Sequence, residues 1–351
     1  MPVPEINTQY LLDILIKLLN TPSPTGLTDN ATDLVEKMLM PTKGMSFSRT
    51  RKGALVVKWD GDQKDTPRAL TAHIDTLGAM VKMIKPSGRL MLTRIGGFNW
   101  NTVEGEGCCI LASNGAFIRG TILLNKASSH VYDGQEIQDT KRNDENMEVR
   151  LDARTVNRAE TETLGIRVGD YVSFDPRVEV VEGFIRSRHL YDKACVAVIL
   201  AVVKCLSDAG LKPAQTTYLH FSNYEEVGHG AAAGIPGDAH ELVVVDMAAV
   251  GEGQASDEFH ASICIKDSSG PYHHGLSQKL RVLADLHKIP YVTDIYPHYG
   301  SDGEAFWRSG GDVAVALIGP GVDASHNYER THIEALLATA NWVAAYLLDG
   351  D

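Results

Sequence analysis

Hydrophobic and polar positions along the chain follow two different periods. Between Ile6 and Asn20 apolar residues recur at helical spacing until TPSPTG interrupts them, which predicts a first helix. A second helix is expected over residues 30–40. The segments GALVVKWDG and RALTAHIDT predict strands. The latter is nearly all apolar as far as His73, as expected for a strand buried on both faces of a sheet.

The middle of the chain has short runs of alternating apolar and polar residues, and the longer strand and helix patterns return after it. From about Gly78 to Arg186, short alternating runs such as GRLMLTRIGG and GAFIRGTILL predict hairpins of a small β-rich domain. Strands are then predicted at TTYLHFS, ELVVVDM and DVAVALIG, and helices at KACVAVILAVVKCLSDAG, LSQKLRVLADLHKI and THIEALLATANWVAAYLLDG. Thr331 and Glu334 predict a capping box for the last helix. We therefore expect one α/β domain, residues 1–77 and 187–351, with residues 78–186 inserted as a second domain.

Composition narrows the classes of function. With 351 residues and 44% hydrophobic content, the chain can bury a substantial core, and a formal net charge of -12 disfavours nucleic acid and anionic membranes. The apolar run 194–203 is shorter than the roughly 20 residues of a membrane span. The first residues lack a basic segment and are expected to form a helix of the fold, which favours the cytoplasm. Five cysteines without Cys-x-x-Cys spacing are expected to be reduced core residues.

Polar side chains follow several predicted strands at their carboxyl ends, where ligands gather in open α/β sheets. His326, just before the last predicted helix, completes the set. The set is His73, Asp75, Glu225, Glu226, Asp246 and His326. Imidazole and carboxylate groups are the ligands of Zn²⁺, Co²⁺ and Mn²⁺, so the set predicts a metal centre. Glu226 is expected to bind metal while Glu225 takes a proton from water, and Asp75 to orient the imidazole of His73.

Several motifs resemble one known family. The segments TAHIDTLGAMV, NYEEVGHGAA, VVVDM and SHNYERTHIEAL, together with LLNTPSPTG, resemble the M42 metallo-aminopeptidases over nearly the whole chain. The resemblance implies an α/β aminopeptidase-type catalytic domain with a mixed sheet flanked by helices. It also implies a PDZ-like inserted domain for dimerisation and assembly, commonly into tetrahedral dodecamers. Two divalent metal ions per chain are implied, zinc first, with cobalt or manganese as alternatives.

The resemblance also implies roles for individual residues. One ion is held by His73 and Asp246 and the other by Glu226 and His326, with an aspartate bridging the two ions and Glu225 acting as general base. The segment YGSDGEAF matches a glycine-rich stretch near the family's substrate. Asp302 and Gly303 are therefore candidate substrate-binding residues, and a capped turn before a helix is the alternative interpretation.

Two places depart from the family pattern. Thr76 stands where glutamate is usual, and we expect this change to tune the site rather than abolish it. In SRHLYDKACVA the family pattern is Leu-Asp-Asp-Arg/Lys-x-Gly, whose first aspartate is the bridging ligand. Tyr191 occupies that position, Asp192 matches the second aspartate, and Cys195 replaces the glycine. We expect Asp192 to move into the bridging place by a one-residue adjustment of the turn before its helix.

Three hypotheses of function follow. The leading one is a metal-dependent exopeptidase that removes N-terminal residues from short peptides, with a metal-activated water and Glu225 as general base. The second is a deacylase or amidase acting on an acylated dipeptide amide. It is suggested because KDSSGPYHH and DASHNYERTH most resemble a bacterial branch encoded alongside synthesis of an N-acetylglutaminylglutamine amide osmoprotectant. The third is a catalytically impaired oligomeric homologue, because Tyr191 lacks the bridging negative charge.

Overall fold

A computed structural model describes residues 3–350 of the chain. Its α-helices are α1 Thr8–Leu19, α2 Asp29–Leu39, α3 Gly134–Asp139, α4 Arg158–Thr163, α5 Leu190–Asp208, α6 His274–His287, α7 Asp302–Arg308 and α8 Ile333–Leu348. Its strands are β1 Met45–Arg49, β2 Leu55–Trp59, β3 Gln63–His73, β4 Gly78–Ile84, β5 Leu90–Ile95, β6 Gly107–Leu111, β7 Phe117–Leu124, β8 Met147–Leu151, β9 Tyr171–Phe174, β10 Glu179–Val181, β11 Phe184–Ser187, β12 Gln215–Ser222, β13 Glu241–Val245, β14 Ala248–Ala249, β15 Ala261–Lys266, β16 Tyr291–Ile295, β17 Ala314–Val322 and β18 Glu329–His332.

The chain divides into two compact units. The first comprises the residues up to Asp75 and those from Arg177 onward, and the second comprises Thr76–Pro176. The sequence prediction included residues 177–186 in the inserted domain. The division places them in the first unit, where β10 pairs with β11 and β11 pairs with β18.

The first unit is built on a mixed sheet with the strand order β1-β2-β12-β3-β13-β17-β15-β16, and β14 pairs with β17. The neighbours β12, β3, β13 and β17 run parallel, and so do β15 and β16. The pairs β1–β2, β2–β12 and β15–β17 are antiparallel. Ser222 of β12 is the register partner of His73 of β3. The carboxyl ends of β12, β3 and β13 therefore meet at one edge of the sheet, and the segments that follow them converge there.

Helices cover this sheet with apolar faces that match the sequence periodicity. In α1 the buried residues are Leu11, Ile14, Leu15, Leu18 and Leu19, and the Asn7 side chain caps the helix by accepting the Tyr10 N–H at 2.9 Å. Helix α5 is buried over nearly its whole length and packs against α1, α8 and β3. The predicted mixed α/β architecture with flanking helices is confirmed.

The second unit is a small β structure with its own apolar core. Strands β4, β5, β8, β7, β6 and β9 form a closed barrel, in that order. Its buried side chains include Val81, Leu92, Ile110, Ile122 and Val149. The alternation of apolar and polar residues had predicted this β-rich character, because alternate residues of a strand face opposite sides of the sheet.

Some local predictions are corrected and others are confirmed. The cap of α8 is His332, whose side chain accepts the Glu334 N–H at 3.3 Å. The predicted capping box is wrong because Thr331 belongs to β18 and its hydroxyl donates to the carbonyl of Gly321. All cysteines are free, and three of them are buried, namely Cys108, Cys195 and Cys264. Among the described residues, no helix is long and apolar enough to cross a membrane.

Candidate active site

His73 is the last residue of β3, Asp75 lies two residues further along the chain, and both are buried. The Nδ1 of His73 lies 2.9 Å from the backbone oxygen of Asp75 and 3.7 Å from its carboxylate. The Asp75 carboxylate accepts hydrogen bonds from the Thr25 hydroxyl at 2.7 Å and from the N–H groups of Glu225 at 3.2 Å and Glu226 at 3.3 Å. Asp75 therefore fixes the imidazole through its backbone, and its carboxylate holds the segment that carries the two glutamates.

Tyr191 and Asp192 are adjacent at the start of α5 but have non-helical backbone angles, and the peptide bond that joins them is cis. Both side chains are buried. The Oδ2 of Asp192 accepts the N–H of His73 at 3.3 Å. The Tyr191 hydroxyl instead donates to the Glu225 carboxylate at 2.9 Å. Neighbouring residues of one turn thus contact different groups of the site.

Three of the predicted ligands come together. Ligand atoms of His73, Asp192 and Asp246 all lie within 4.8 Å of one another, and the three side chains are buried. Within the described part of the chain, His73 Nε2, Asp192 Oδ1 and Asp246 Oδ1 are buried and make no hydrogen bond. Buried polar atoms are normally satisfied, and an ion is one recognised reason for such an exception. This donor set fits a divalent cation, since imidazole nitrogens and carboxylate oxygens both bind zinc.

Glu225 and Glu226 lie in a short 3₁₀ turn, Glu225–Val227, that follows β12. The preceding residue, Tyr224, has a positive φ of 75°, which is uncommon for a residue with a side chain. Glu225 Oε2 lies 3.5 Å from His73 Nε2. The Glu225 carboxylate is thus within reach of the group of three, and it is also tied to Tyr191.

His326 and Glu226 form a separate pair. His326 Nε2 lies 3.4 Å from Glu226 Oε2, and the His326 side chain is partly exposed. No group of three potential ligands among the described residues includes this pair. The ring of Tyr191 stacks on the His326 imidazole at 5.2 Å between centroids and meets the His73 imidazole edge-on at 4.6 Å. An aromatic ring therefore contacts both histidines of the predicted metal centre.

Burial and crowding govern the ionisation of the carboxyl groups. Burial raises the pKa of Asp192 well above its usual range, and the neighbouring Asp246 raises it further. Burial also raises the pKa of Glu225 well above its usual range, and it raises the pKa of Asp246 to about 7. A bound cation acts in the opposite direction because an opposite charge favours the ionised form. The carboxylates are therefore arranged as they would be around a positive charge.

Glu329 belongs to the site although the sequence reasoning did not single it out. Its carboxylate accepts the N–H of Tyr191 and the N–H of His326, both at 3.1 Å. It is buried, and burial raises its pKa to about 7. The residue stands inside the quoted motif SHNYERTH. The signal that could have identified it is a carboxylate at an inward position of β18, next to the exposed Arg330.

Asp302 and Gly303, the candidate substrate-binding residues, begin α7 and are buried. The Asp302 carboxylate accepts hydrogen bonds from Ser222, from Ala231 at 2.7 Å and from Thr71 at 3.3 Å. A Cβ at Gly303 would approach Val315 to 2.7 Å. Both residues make tight contacts with the interior of the fold, and Asp302 also lines the cavity beside the site.

That cavity has a volume of about 230 Å³ and is lined by Tyr191, Glu225, Glu226, His326 and the α7 residues Glu304 and Arg308 among others. Arg308 pairs with Glu304 at 3.2 Å. A larger cavity of about 540 Å³ lies in the β-rich unit, lined by apolar side chains with Arg158, Glu162 and Arg167. It lacks a cluster of metal-binding groups among its lining residues. We therefore assign the chemistry to the smaller cavity.

Comparison with known proteins identifies the family of this chain and agrees with its fold. The model of a peptidase family described as M42 glutamyl aminopeptidase matches residues 53–341. The chain is a peptide-bond hydrolase of the aminopeptidase class. It belongs to the M42 family, as the motifs of the sequence had indicated.

One curated relative is similar over nearly its full length. The relative, "Putative aminopeptidase YhfE" of Bacillus subtilis (strain 168), is 47% identical to this chain over 337 residues, which cover 96% of each of the two chains. An aminopeptidase of the archaeon Desulfurococcus kamchatkensis has a similar structure, with a TM-score of 0.86, 22% identity and coverage of 97% of this chain and 95% of that one. The TET1 peptidase of Pyrococcus horikoshii has a TM-score of 0.84 and 19% identity, with coverage of 97% of this chain and 99% of that one. The two structures show a shared fold.

Proposed function

We propose that this protein is a metal-dependent aminopeptidase that removes the N-terminal residue of short peptides. The observation that carries the proposal is the buried group of His73, Asp192 and Asp246, whose inward-facing atoms make no hydrogen bond. Glu225 lies beside this group. A cation bound there would activate a water molecule, and a neighbouring carboxylate can serve as the general base for its attack on an amide bond.

The donor set determines which residues would hold metal. His73, Asp192 and Asp246 would hold one divalent ion, with zinc expected first and cobalt or manganese as alternatives. The second ion that the family resemblance predicts would need Glu226 and His326 and a carboxylate shared with the first ion. A bound ion would polarise the scissile carbonyl and make a water molecule more acidic.

Glu225 is proposed as the general base. Its carboxylate faces His73 Nε2 at 3.5 Å, and its backbone is held by Asp75. From this position it would accept a proton from the attacking water and return it to the amine that leaves the peptide. A hydrogen bond from Tyr191 keeps the carboxylate oriented in the free enzyme. A carboxylate held in this way contributes about 10²–10⁴-fold to such reactions.

The cavity supports a substrate with a free amino terminus. Four carboxylates of the described part of the chain line the cavity, from Glu225, Glu226, Asp302 and Glu304, against Arg308 and His326. Because a free α-amino group is positively charged, an excess of carboxylates attracts it more strongly than it attracts an acylated terminus. The volume of about 230 Å³ is sufficient for a single residue of the substrate. Both features favour an exopeptidase.

The assembly of this chain is also a proposal. The solved structure of the Pyrococcus horikoshii peptidase is described as a tetrahedron or a large octahedral shell, and another similar structure is described as a dodecamer. We propose a homo-oligomer, with a dodecamer as the expected size and the β-rich unit, of expected PDZ-like fold, as the assembly domain. The exposed Phe117, Val131, Val156 and Val168 of that unit are apolar surface available for contact.

One assay separates the candidate functions. Purified protein is given divalent metal and short peptides with either a free or an N-acetylated terminus, and amine release is measured. Release from free peptides that stops with a chelator is the expected result. Release from only the acetylated dipeptide amide would identify a deacylase instead, and no release from either would identify an impaired homologue.

A substitution connects the assay to the site. Glu225→Gln is expected to lower kcat by about 10²–10⁴-fold because the amide cannot accept the proton. Glu334→Gln is the matched control, since this carboxylate lies outside the cavity lining and its side chain is 66% exposed. An unchanged kcat in Glu225→Gln would reject Glu225 as the general base.

A further inference from the structure

The place of Tyr191 in the site differs from that of a bridging ligand. Its ring is buried, with 6% of its surface exposed, and it contacts the imidazoles of His73 and His326 at 4.6 and 5.2 Å between centroids. Its hydroxyl donates to Glu225. The carbon atoms of the ring thus fill space next to both histidines, one from each predicted pair of metal ligands.

We propose that the site holds one tightly bound divalent ion, at His73, Asp192 and Asp246, and that Tyr191 prevents a second ion from binding at Glu226 and His326. This inference rests on the metal dependence of the proposed function. It departs from the pair of ions that the family resemblance predicts. The residues that the structure describes group three ligands for the first ion, His73, Asp192 and Asp246, and pair only Glu226 with His326 for the second.

The first reason is electrostatic. Two divalent ions in a hydrolytic centre lie about 3.5–4 Å apart and repel one another. A carboxylate shared by both offsets that repulsion with its negative charge. The aromatic side chain of Tyr191 brings no such group, and thiolate, imidazole and carboxylate are the side chains that normally hold zinc.

The second reason is the position of Asp192. One oxygen of its carboxylate accepts the His73 N–H at 3.3 Å, and the other belongs to the group of three with His73 and Asp246. Both oxygens of the Asp192 carboxylate therefore lie with His73 and Asp246 rather than with Glu226 and His326. Glu226 Oε2 is also buried without a hydrogen bond to the part of the chain that the structure describes, and it lies beside His326. Among the described residues, however, no third carboxylate, imidazole or thiolate groups with this pair, whereas catalytic zinc sites use three protein ligands.

Metal counting tests the inference independently of catalysis. The full-length protein is stripped with a chelator, incubated with excess Zn²⁺, desalted and analysed by inductively coupled plasma mass spectrometry. One zinc per chain is expected in the natural protein, and two per chain in Tyr191→Asp, which restores the shared carboxylate. Two ions per chain, or none, in the natural protein would overturn the inference. A single ion in folded Tyr191→Asp would overturn the role given to Tyr191.

Further variants keep the test decisive if Tyr191→Asp does not fold, which circular dichroism would show. His326→Ala is expected to keep one zinc per chain because its side chain is partly exposed and lies outside the tight site. Asp192→Asn is expected to retain no zinc after desalting. Loss of zinc in His326→Ala, or its retention in Asp192→Asn, would contradict the assignment of ligands.

The result is separable from the proposed function. One zinc per chain without any peptidase activity would remove the aminopeptidase proposal and leave the metal assignment intact. Two zinc ions per chain together with full peptidase activity would remove the single-ion assignment and leave the aminopeptidase proposal intact. Stoichiometry and activity are therefore measured on the same preparation.

Discussion

The hydroxyl of Tyr191 donates a 2.9 Å hydrogen bond to the carboxylate of Glu225. This bond joins the residue that departs from the family pattern to the residue proposed as the general base. The Tyr191 backbone is itself held by Glu329, which also holds the backbone of His326. The orientation of the base thus depends on Tyr191 and, through Tyr191, on Glu329 in a second segment of the chain.

Removing only that hydroxyl should slow catalysis. In Tyr191→Phe the ring still packs on both histidines, but Glu225 loses a hydrogen bond of about 1.5–3 kcal/mol for a charged acceptor. We expect kcat to fall about tenfold to hundredfold with little change in KM. Steady-state kinetics measure both quantities. Tyr328→Phe is the matched control, because that hydroxyl donates to the Arg177 carbonyl outside the site. An unchanged kcat in Tyr191→Phe would show that Glu225 needs no such support.

Replacing Asp75 should destabilise the fold as well as the site. One oxygen of its carboxylate accepts the Glu225 N–H, and the other accepts the Glu226 N–H and the Thr25 hydroxyl. The amide of Asp75→Asn would set its own N–H groups against one of these donors, so the free energy of unfolding should fall by about 2 kcal/mol. Thr25→Val removes one of the three hydrogen bonds and should lower the free energy of unfolding by about half as much. Denaturant unfolding gives both values, and wild-type stability in Asp75→Asn contradicts the prediction.

Gly303 tests whether a candidate substrate residue acts through packing. A Cβ at this position would approach Val315 to 2.7 Å and Val244 to 2.9 Å. Overpacking of this kind costs about 1–3 kcal/mol, so Gly303→Ala should lower Tm while KM stays near the natural value. At Gly237 an added Cβ has no neighbour within 4 Å, which makes Gly237→Ala the matched control. A raised KM at unchanged Tm would instead support substrate binding at Gly303.

Stability should depend on pH through His220, which is buried in β12. Burial, assisted by the charge of Lys52, lowers the pKa of His220 to about 4. Below the unfolded pKa of about 6.5 the unfolded chain binds this proton more readily than the folded chain. The free energy of unfolding should therefore fall by up to about 3 kcal/mol because of His220 as pH falls from about 6.5 to about 4. Above about pH 6.5 His220 should not change it.

A variant isolates this contribution. The Nδ1 of His220 lies 2.9 Å from the Thr71 hydroxyl, and His220→Asn places an amide group at a similar position without a titrating ring. The difference in unfolding free energy between the natural protein and His220→Asn should shrink or change sign across the acidic range. Parallel pH profiles of the two proteins would exclude His220 as the cause.

The strand-end ligands were accessible from sequence because of a simple geometric rule. The apolar runs before His73 and Asp246 predicted buried strands, and parallel strands of one sheet deliver their carboxyl ends to a common edge. The residues after β3, β12 and β13 do meet there. Periodicity likewise located α1, α5 and α8, since a helix that covers a sheet must present an apolar face to it.

Other features depended on partners distant in sequence. Residues 177–186 belong with the first unit because β11 pairs with β18. Thr331 lies in that same strand rather than capping α8. Glu329 is buried where its carboxylate accepts N–H groups from two separate segments. Local patterns do not encode such pairings, because they arise from contacts between segments far apart along the chain.

By itself, the sequence determined the family, the α/β architecture, the β-rich middle segment and the residue types at the strand ends. Only the tertiary structure decided what Tyr191 and Asp192 do: the carboxylate joins His73 and Asp246, and the phenol contacts Glu225. The physical reason lies in the backbone. At a non-helical turn, the directions of two adjacent side chains follow from dihedral angles that long-range packing selects, and no periodic pattern specifies them.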